Sequence, residues 1–408
     1  MPICFELTRN TQLARDHFRE IARTRMRPLA RKYDDLEHAL PTEWVSYAWE
    51  NRGRAAQGTD LSAPADGFVQ VCIQAEELCW GDAGLYLRTP TPGLGGSAVA
   101  AAGTEEQKRR FLTAFHGDGP PVWGAMAITE PGAGSDSAAI QTTASPDGDA
   151  YVLNGTKVFC TGGEGASQHA GGFVVVWATL DRAAGRAGIK AFVVPAGTPG
   201  MQLVGLENKL GIRASDTATL VFENCRVPRE NLLGSAEVKP TGKRAAGDPG
   251  FKGALATFDA SRPIVAAMAV GVGRAALECL MQELAAHGIA PRYTAPRAAL
   301  SAIERDVMEM EAELQAARLL TWRAAAMMNR GRPNNLEASM AKAKAGRAVT
   351  RITQKAVELL GPAGYSKKLL VEKWMRDAKI NDIFEGTQQI NQLIVARRIL
   401  DYSSAMLR

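Results

Sequence analysis

MAITEPGAGSD, residues 126–136, passes from a short apolar run into a loop of Pro, Gly, Ser and Asp. YVLNGTKVFCTGG, residues 151–163, follows it, and its β-forming residues flank an Asn-Gly dipeptide, which predicts a strand pair around a turn. The runs FVVVWATL, KAFVVPA and TATLVFENCRV are also rich in β-forming residues and bounded by Gly, Pro and Asp. These patterns predict a compact, barrel-like β domain over residues 122–240, at the centre of an α+β fold.

The sequences on both sides of this domain have helical periods. Residues 1–121 predict an N-terminal α domain, interrupted by a polar loop at 51–67, after which Val69, Cys72, Ile73 and Glu76 open a helical face. Residues 255–408 follow a linker at 235–254 and predict four long helices, with breaks at 331–333 and 361–362. One helix has a predicted buried seam of Val307, Met310, Leu314, Ala317, Leu320, Ala324 and Met327. An antiparallel four-helix bundle is the simplest packing for this C-terminal part.

Composition narrows the class of protein. The chain has 408 residues, 46% hydrophobic and 22% charged, which is typical of a globular protein with more than one core. A scattered net charge of +5 suits anionic ligands and gives no footprint for nucleic acid. No run approaches about 18 consecutive apolar residues, so no membrane span is expected. The six cysteines form no CxxC pair, so we expect neither a disulfide framework nor a metal site.

The N-terminal 27 residues bear on the cellular compartment of the protein. They are rich in arginine, which is a feature of transit peptides, but Asp16 and Glu20 among them favour a solvated helix face. We therefore expect a cytoplasmic protein.

The stretch NDIFEGTQQINQLIVARRIL, residues 381–400, contains one candidate catalytic acid. Glu385 lies between apolar Phe384 and small Gly386, directly before a basic amphipathic helix. An apolar pocket would raise its pKa and make it a usable base. The alternative is an acid near a helix N-terminus, where the helix dipole stabilises it.

A possible dinucleotide fingerprint occurs at residues 271–276. Gly271-Val272-Gly273-Arg274-Ala275-Ala276 satisfies GxGxxA, but the preceding PIVAAMAV is rich in Ala and Met, which favours a helix rather than a strand. We interpret these glycines as sites of close helix packing.

Residues 126–136, 151–163 and 381–400 together resemble the acyl-CoA dehydrogenase family. Two further stretches agree with it: KLGIRASDTATLVFENCRVPRENLLG at 209–234 and FDASRPIVAAMAVGVGRAAL at 258–277. The resemblance runs from about residue 70 to the C-terminus in the family's order, while residues 1–70 match loosely. It implies FAD bound non-covalently between the β domain and the bundle. It also implies α,β-dehydrogenation of an acyl-CoA thioester to the trans-2-enoyl-CoA, with electrons passed to an electron-transfer flavoprotein.

The resemblance further implies roles for individual residues. Glu385 would remove the α proton while the flavin takes the β hydride; other branches of the family place the base at the position of Ser261, which cannot serve here. The implied cofactor contacts are Met126, Ile128, Thr129, Gly134, Ser135, Phe159, Cys160, Thr161, Thr387 and Gln389. The implied substrate contacts are Ser135, Asp259, Arg262 and Gly386.

Three of these residues have a plain structural alternative. Phe159 stands where the family often has Trp, so it is expected to stack on the flavin, or else to be a strand residue in a core. Asp259 and Arg262 fit a buried ion pair between helices equally well.

The chain departs from the family at the positions that contact a neighbouring subunit's FAD. An Arg-x-x-Phe-Gly segment is missing from AAHGIAPRYTAPRAAL at 285–300, where Arg292 and Tyr293 are candidate substitutes. A Gln-containing segment reads Glu358-Leu359-Leu360-Gly361-Pro362, and a Glu would repel a pyrophosphate. Two hypotheses follow: a hetero-tetramer with a second acyl-CoA dehydrogenase-like chain, or a homo-oligomer with a rebuilt clamp.

Two alternative functions stay open. The same fold carries flavin oxidases and hydroxylases, although the intact Glu-Gly-Thr segment argues against that function. The chain is alternatively a structural subunit of a hetero-oligomeric dehydrogenase, with Glu385 as a relic. The length and branching of the acyl chain are not readable, because they depend on a pocket lined by several helices.

Overall fold

The computed structural model describes residues 6–52, 67–238, 250–402 and 406. Most of the predicted loop at 51–67 and of the predicted linker at 235–254 lies outside these ranges. The α-helices are α1 (Arg9–Ile21), α2 (Ala30–Asp35), α3 (Thr42–Glu50), α4 (Gly67–Arg88), α5 (Gly93–Ala102), α6 (Glu105–Leu112), α7 (Gly163–Gln168), α8 (Gly250–Ala286), α9 (Ala302–Asn329), α10 (Asn335–Leu360), α11 (Pro362–Tyr365), α12 (Val371–Ala378) and α13 (Gln388–Ile399). The strands are β1 (Gly124–Ala127), β2 (Thr143–Asp147), β3 (Ala150–Thr161), β4 (Phe173–Thr179), β5 (Ile189–Pro195), β6 (Met201–Leu206), β7 (Thr217–Pro228) and β8 (Leu232–Leu233).

The predicted α+β fold is confirmed: helical N- and C-terminal parts flank one central sheet. Its strand order is β6-β7-β3-β2-β4-β5-β8, and β1 pairs in parallel with β4. Strand β4 is buried on both faces, because Val174 and Val176 enter one core while Val175 and Trp177 enter another. Helices α5 and α6 cover the second of these faces with Val99 and Phe111, among other residues. An uninterrupted apolar strand is the expected sequence for such a position.

The prediction of a turn at Asn154-Gly155 is wrong. Residues 150–161 form one continuous strand, and the dipeptide lies at a bulge where the register with β7 shifts between Leu153 and Gly155. The Asn154 side chain accepts a hydrogen bond of 2.8 Å from the Asn224 backbone of β7. The hairpin turn occurs earlier, around Gly148, which has φ +57° and connects β2 to β3. An Asn-Gly pair therefore marks either a turn or a bulge.

The C-terminal part is helical, as predicted, and its helices differ in length from the prediction. Helices α8, α9 and α10 are long, whereas the expected fourth long helix is divided into α12 and α13 by residues 379–387. The predicted breaks at 331–333 and 361–362 are confirmed, since α9 ends at Asn329 and α10 at Leu360. In the α9 seam, five of the seven residues are buried and Leu320 and Met327 are half-buried. The interruption between α12 and α13 contains Glu385.

Helix α4 of the N-terminal part shares a core with the C-terminal helices. Its Cys72, Ala75 and Cys79 pack in one apolar cluster with α8, α9 and α10. Gly271 of α8 lies against α4, and a Cβ there would come within 2.2 Å of the Glu76 carbonyl oxygen. The GxGxxA sequence thus lies inside a helix, where glycine permits close packing.

Helix α8 is long and apolar enough to cross a membrane by length and composition. The segment Asp259–Ala286 has this property, and 78% of its apolar window is buried inside the protein. Such a helix is typical of a protein core.

Candidate active site

Glu385 and Gly386 form a left-handed turn between a 3₁₀ turn, Lys379–Asp382, and helix α13. Glu385 has φ +54° and Gly386 has φ +90°. Glycine adopts this conformation without a Cβ penalty, whereas a glutamate there is strained. Strained non-glycine residues occur preferentially at functional sites. Thr387 then begins the helix, because its side-chain oxygen accepts a hydrogen bond of 3.2 Å from the Ile390 N–H.

The carboxylate of Glu385 reaches helix α8. The Ser261 hydroxyl donates a hydrogen bond to Glu385 Oε2. Burial raises the pKa of the Glu385 carboxyl, while this hydrogen bond and the charges of Arg262 and Lys342 oppose the increase. Glu385 is half-buried, so a ligand can reach the carboxyl from solvent although its pKa is raised. The group thus has the properties of a base that a substrate can reach.

Lys342 of α10 holds the same turn from the other side. Its Nζ donates a hydrogen bond of 2.8 Å to the Gly386 carbonyl, and Asn391 Nδ2 donates another of 2.9 Å. Sequence reasoning missed Lys342, although one signal was present. The signal is the spacing of Lys342 from Ala338 and Ala345, four residues before it and three after it, which puts all three on one face of the helix. Ala338, Ala341 and Ala345 are all buried.

Asp259 and Arg262 pair within one helix, which corrects the alternative of an ion pair between helices. Arg262 Nη1 lies 2.8 Å from Asp259 Oδ1, one turn away on α8. Pro263 lacks an N–H and so leaves the Asp259 carbonyl without its usual helical partner. Asn334 Nδ2 donates to that carbonyl at 3.2 Å. The arrangement fixes the part of α8 that carries Ser261 and Arg262.

A second group of predicted residues lies at the ends of β1 and β3. The Val158 N–H donates to the Thr129 carbonyl at 2.9 Å, and the Cys160 thiol lies 3.5 Å from the Met126 carbonyl. Beneath them, Lys157 Nζ donates to the Ile128 carbonyl at 3.1 Å. Gly134 and Ser135 are exposed in the following loop. The structure therefore brings Met126, Ile128, Thr129 and Cys160 together at these strand ends, with Ile128 and Thr129 half-buried and Met126 and Cys160 buried.

Lys157 is a second buried lysine that sequence reasoning missed. It is 0% exposed and pairs with Glu130 at 2.7 Å. Glu130 also accepts hydrogen bonds from Thr142 N and from the Thr142 hydroxyl. Burial lowers the pKa of Lys157 to about 8. This buried cluster holds the loop that begins at Ile128.

Phe159 is not a core residue, which removes the alternative interpretation of its role. Its side chain is 62% exposed and its φ is +57°, next to a bulge between Lys157 and Cys160. Cys160 is buried and Thr161 is half-buried. An exposed aromatic ring held by a strained backbone is a surface suited to stacking on a planar ligand.

The remaining predicted residues lie at the start of α13. Thr387 is engaged as the helix cap, and the Gln389 side chain is exposed two residues after it. The structure thus places the predicted site residues in two groups: residues 126–161 on the sheet side, and on the helical side Asp259, Arg262, Glu385, Gly386, Thr387 and Gln389.

The candidate substitutes for the neighbour-facing clamp make contacts within the chain. Arg292 lies 2.6 Å from Glu304 through Nε, and it also donates to Glu304 through Nη2 at 2.8 Å. The Tyr293 hydroxyl donates to Glu311 at 2.7 Å. Glu358 is exposed and pairs with Lys355 at 2.9 Å.

Family models match the chain over nearly its whole length. They describe the acyl-CoA dehydrogenase N-terminal domain at residues 8–116, the middle domain at 125–225 and the C-terminal domain at 248–400. The short-chain specific acyl-CoA dehydrogenase of Rattus norvegicus mitochondria is 37% identical, over 97% of this chain and 91% of that protein. The structure of butyryl-CoA dehydrogenase from Megasphaera elsdenii is 30% identical with a TM-score of 0.82, covering 98% of this chain and 100% of that one.

A structure described as the electron transferring flavoprotein of Acidaminococcus fermentans is 32% identical, with a TM-score of 0.82 over 98% of this chain and 100% of that one. Three matched domains, together with relatives above 30% identity at this coverage, establish the family. The chain belongs to the acyl-CoA dehydrogenase family and is an FAD-dependent oxidoreductase that acts on acyl-CoA.

Proposed function

We propose that the protein dehydrogenates a short-chain acyl-CoA thioester at its α and β carbons, with Glu385 as the base for the α proton. The observation that carries the proposal is the environment of the Glu385 carboxyl: burial raises its pKa, while a hydrogen bond from Ser261 holds it in place. A base works best when its pKa lies near the working pH and its geometry is fixed.

The residues at the ends of β1 and β3 suit an FAD ring. The exposed Phe159 supplies an aromatic face, and the half-buried Ile128 and Thr129 lie at the neighbouring strand end, joined to it by the hydrogen bond from the Val158 N–H to the Thr129 carbonyl. Gly134 bears no neighbouring atom within 4 Å of a Cβ position, so the loop leaves room for a bulky group. We assign FAD contacts to these residues and to Ser135, Cys160, Thr161, Thr387 and Gln389. When bound, FAD supplies the acceptor for the hydride from the β carbon.

The protein's own part in the reaction is to bind, orient and deprotonate. Removing the α proton creates negative charge on the thioester oxygen, which needs a hydrogen-bond donor aimed at it. The Glu385 N–H lies in the same left-handed turn as the carboxylate, and we assign this N–H to the thioester oxygen. Gly386 has no side chain to obstruct the thioester. Arg262 places a positive charge beside Gly386 and Glu385.

The short acyl chain is inferred from the relatives. The Rattus norvegicus relative is named as short-chain specific and the Megasphaera elsdenii structure as a butyryl-CoA dehydrogenase. The electron acceptor is proposed to be an electron-transfer flavoprotein, supported by the similarity to the Acidaminococcus fermentans structure. We therefore expect butyryl-CoA to be oxidised with a higher kcat/KM than decanoyl-CoA.

The position of Arg292 bears on the choice between the two assemblies. Its guanidinium is bound to Glu304 of its own chain, which supports a subunit without an arginine clamp for a neighbour's FAD. We propose a hetero-tetramer with a second acyl-CoA dehydrogenase-like chain; the competing assembly is a homo-oligomer with a rebuilt clamp. The cytoplasmic location stays a prediction.

The test combines flavin content, native mass and turnover of the chain purified alone. Turnover of butyryl-CoA with an artificial electron acceptor supports the proposed function. One FAD per protomer in an active homo-oligomer contradicts the need for a second chain, whereas a folded protein with little FAD supports it. Rapid oxygen consumption without an added acceptor would instead indicate an oxidase. Folded, flavin-loaded protein that does not turn over any acyl-CoA would contradict the proposed reaction.

A further inference from the structure

Lys342 is buried without a salt bridge among the described residues. Its side chain is 1% exposed, yet its Nζ contacts a backbone carbonyl, that of Gly386, at 2.8 Å. Lys373, the other lysine that is buried in the described helical part, is arranged differently: it pairs with Asp82 at 2.6 Å and with Asp377 at 2.5 Å. Burying an ammonium group costs free energy unless the protein compensates its charge. The placement of Lys342 therefore calls for a role at the turn it contacts.

The carbonyl that Lys342 holds belongs to the turn that carries Glu385. Gly386 O accepts from Lys342 and from Asn391 Nδ2 at 2.9 Å, so donors from α10 and α13 fix the same peptide plane. Glu385 has a left-handed φ of +54°, which a glutamate does not adopt without support. Two fixed donors on the next carbonyl supply that support.

The aliphatic part of the Lys342 side chain is buried, which restricts the position of the ammonium group. Ala338, Ala341 and Ala345 surround its position on α10, and each is at most 1% exposed. Helix α10, which carries Lys342, is 26 residues long. The position of the ammonium is thus set by α10 rather than by the turn.

The charge of Lys342 also acts on Glu385. The charged groups around Lys342 are Glu385 and Asp382 from the turn region and Arg262 from α8. The positive charges of Lys342 and Arg262 both favour the carboxylate form of Glu385. Burial lowers the pKa of Lys342 itself to about 8, and Glu385 counteracts part of that decrease.

We propose that Lys342 is a positioning residue for the base: its ammonium holds the Gly386 carbonyl, fixes the left-handed turn at Glu385, and favours the carboxylate there. The proposal rests on the role of Glu385 proposed above. It assigns no contact between Lys342 and the substrate.

The test compares Lys342→Met with Lys344→Met as the matched control. Lys344 lies two residues after Lys342 on the same helix. It pairs with Glu313 of α9 at 2.6 Å and makes no hydrogen bond or ion pair with the Glu385 turn among the described residues. Methionine is close to lysine in volume and places no charge in the interior, and the Gly386 carbonyl keeps its hydrogen bond from Asn391, so we expect the fold to tolerate the change. We expect Lys342→Met to keep its FAD content and to lose roughly tenfold to a hundredfold in kcat, because small errors in position cost rates of that size. KM for butyryl-CoA should change much less.

The pH profile distinguishes positioning from a purely structural role. Removing a positive charge beside Glu385 raises the pKa of the carboxyl, so the acid limb of kcat moves to higher pH. Lys342→Gln keeps a hydrogen-bond donor but no charge, so its acid limb of kcat should also move to higher pH. This variant replaces Lys342→Met in the test if Lys342→Met folds poorly. Lys344→Met should retain the wild-type limb. An acid limb at the wild-type position in both Lys342 variants overturns the proposal.

Hydrogen exchange by mass spectrometry gives a readout that does not need turnover. Peptides covering residues 383–392 should exchange faster in Lys342→Met than in wild type or Lys344→Met. Unchanged exchange there overturns the positioning role, even in a protein that turns over no substrate. An inactive wild type with faster exchange in Lys342→Met would contradict the proposed function and support the positioning of the turn.

Discussion

Ser261 donates a hydrogen bond to the Glu385 carboxylate, although the two residues are 124 positions apart in the chain. The contact joins the middle of α8 to the turn before α13. It places the Ser261 hydroxyl directly against the group proposed as the base.

Removing this hydroxyl should change the pH dependence of turnover. A hydrogen bond to the charged form favours the carboxylate, so Ser261→Ala raises the pKa of Glu385. Activity needs the carboxylate, and the acid limb of kcat therefore moves to higher pH. Ser261→Thr, which keeps the hydroxyl, is the control and should retain the wild-type limb. A Ser261→Ala enzyme with an unchanged limb would show that this bond does not tune the base.

Gly386→Ala should damage activity more than stability. A Cβ at Gly386 would lie 3.2 Å from Asn391 Nδ2, and its φ of +90° disfavours any residue with a Cβ. We expect a loss of about 1–2 kcal/mol in the free energy of unfolding, measured by urea denaturation, and a larger proportional loss of kcat. Gly117→Ala is the control, because nothing lies within 4 Å of its Cβ position. Full activity in Gly386→Ala would argue against a fixed turn at the base.

Lys157→Met should destabilise the sheet side of the site. It leaves Glu130 buried without its ion pair, and breaking one partner of a buried pair costs about 3–5 kcal/mol. The Ile128 carbonyl also loses its donor, so FAD content should fall. The double variant Lys157→Met/Glu130→Gln should recover part of the stability in a denaturation experiment. Equal unfolding free energies for Lys157→Met and wild type would contradict the account of this cluster.

Local sequence patterns predicted the fold well because helical and strand periods are properties of short segments. The uninterrupted apolar run of β4 and the seam of α9 both occur where their periods predict. Asn154-Gly155 misled because the dipeptide has the same signature in a bulge as in a turn. The helix directly after Glu385 was predicted, but the end of α12 was missed, because residues 379–387 contain no proline and only one glycine.

The candidate site was predictable in its residue types and less so in its contacts. Glu385 stood out as an acid between an apolar residue and a glycine, and Phe159 through the family resemblance. The bond from Ser261 and the bond from Lys342 depend on how distant helices pack, which no local pattern reports. Lys342 also lies in an Ala- and Lys-rich run that looks like a solvated face until its neighbours prove to be buried.

The measurement that tests the central claim most directly is the turnover of Glu385→Gln with butyryl-CoA. Glutamine keeps the size of the side chain and cannot take up the α proton. We expect kcat to fall by roughly 10²–10⁴-fold, the usual contribution of a general base, with FAD content and the unfolding midpoint close to those of wild type. A flavin-loaded Glu385→Gln enzyme that turns over butyryl-CoA at the wild-type rate would show that Glu385 is not the base.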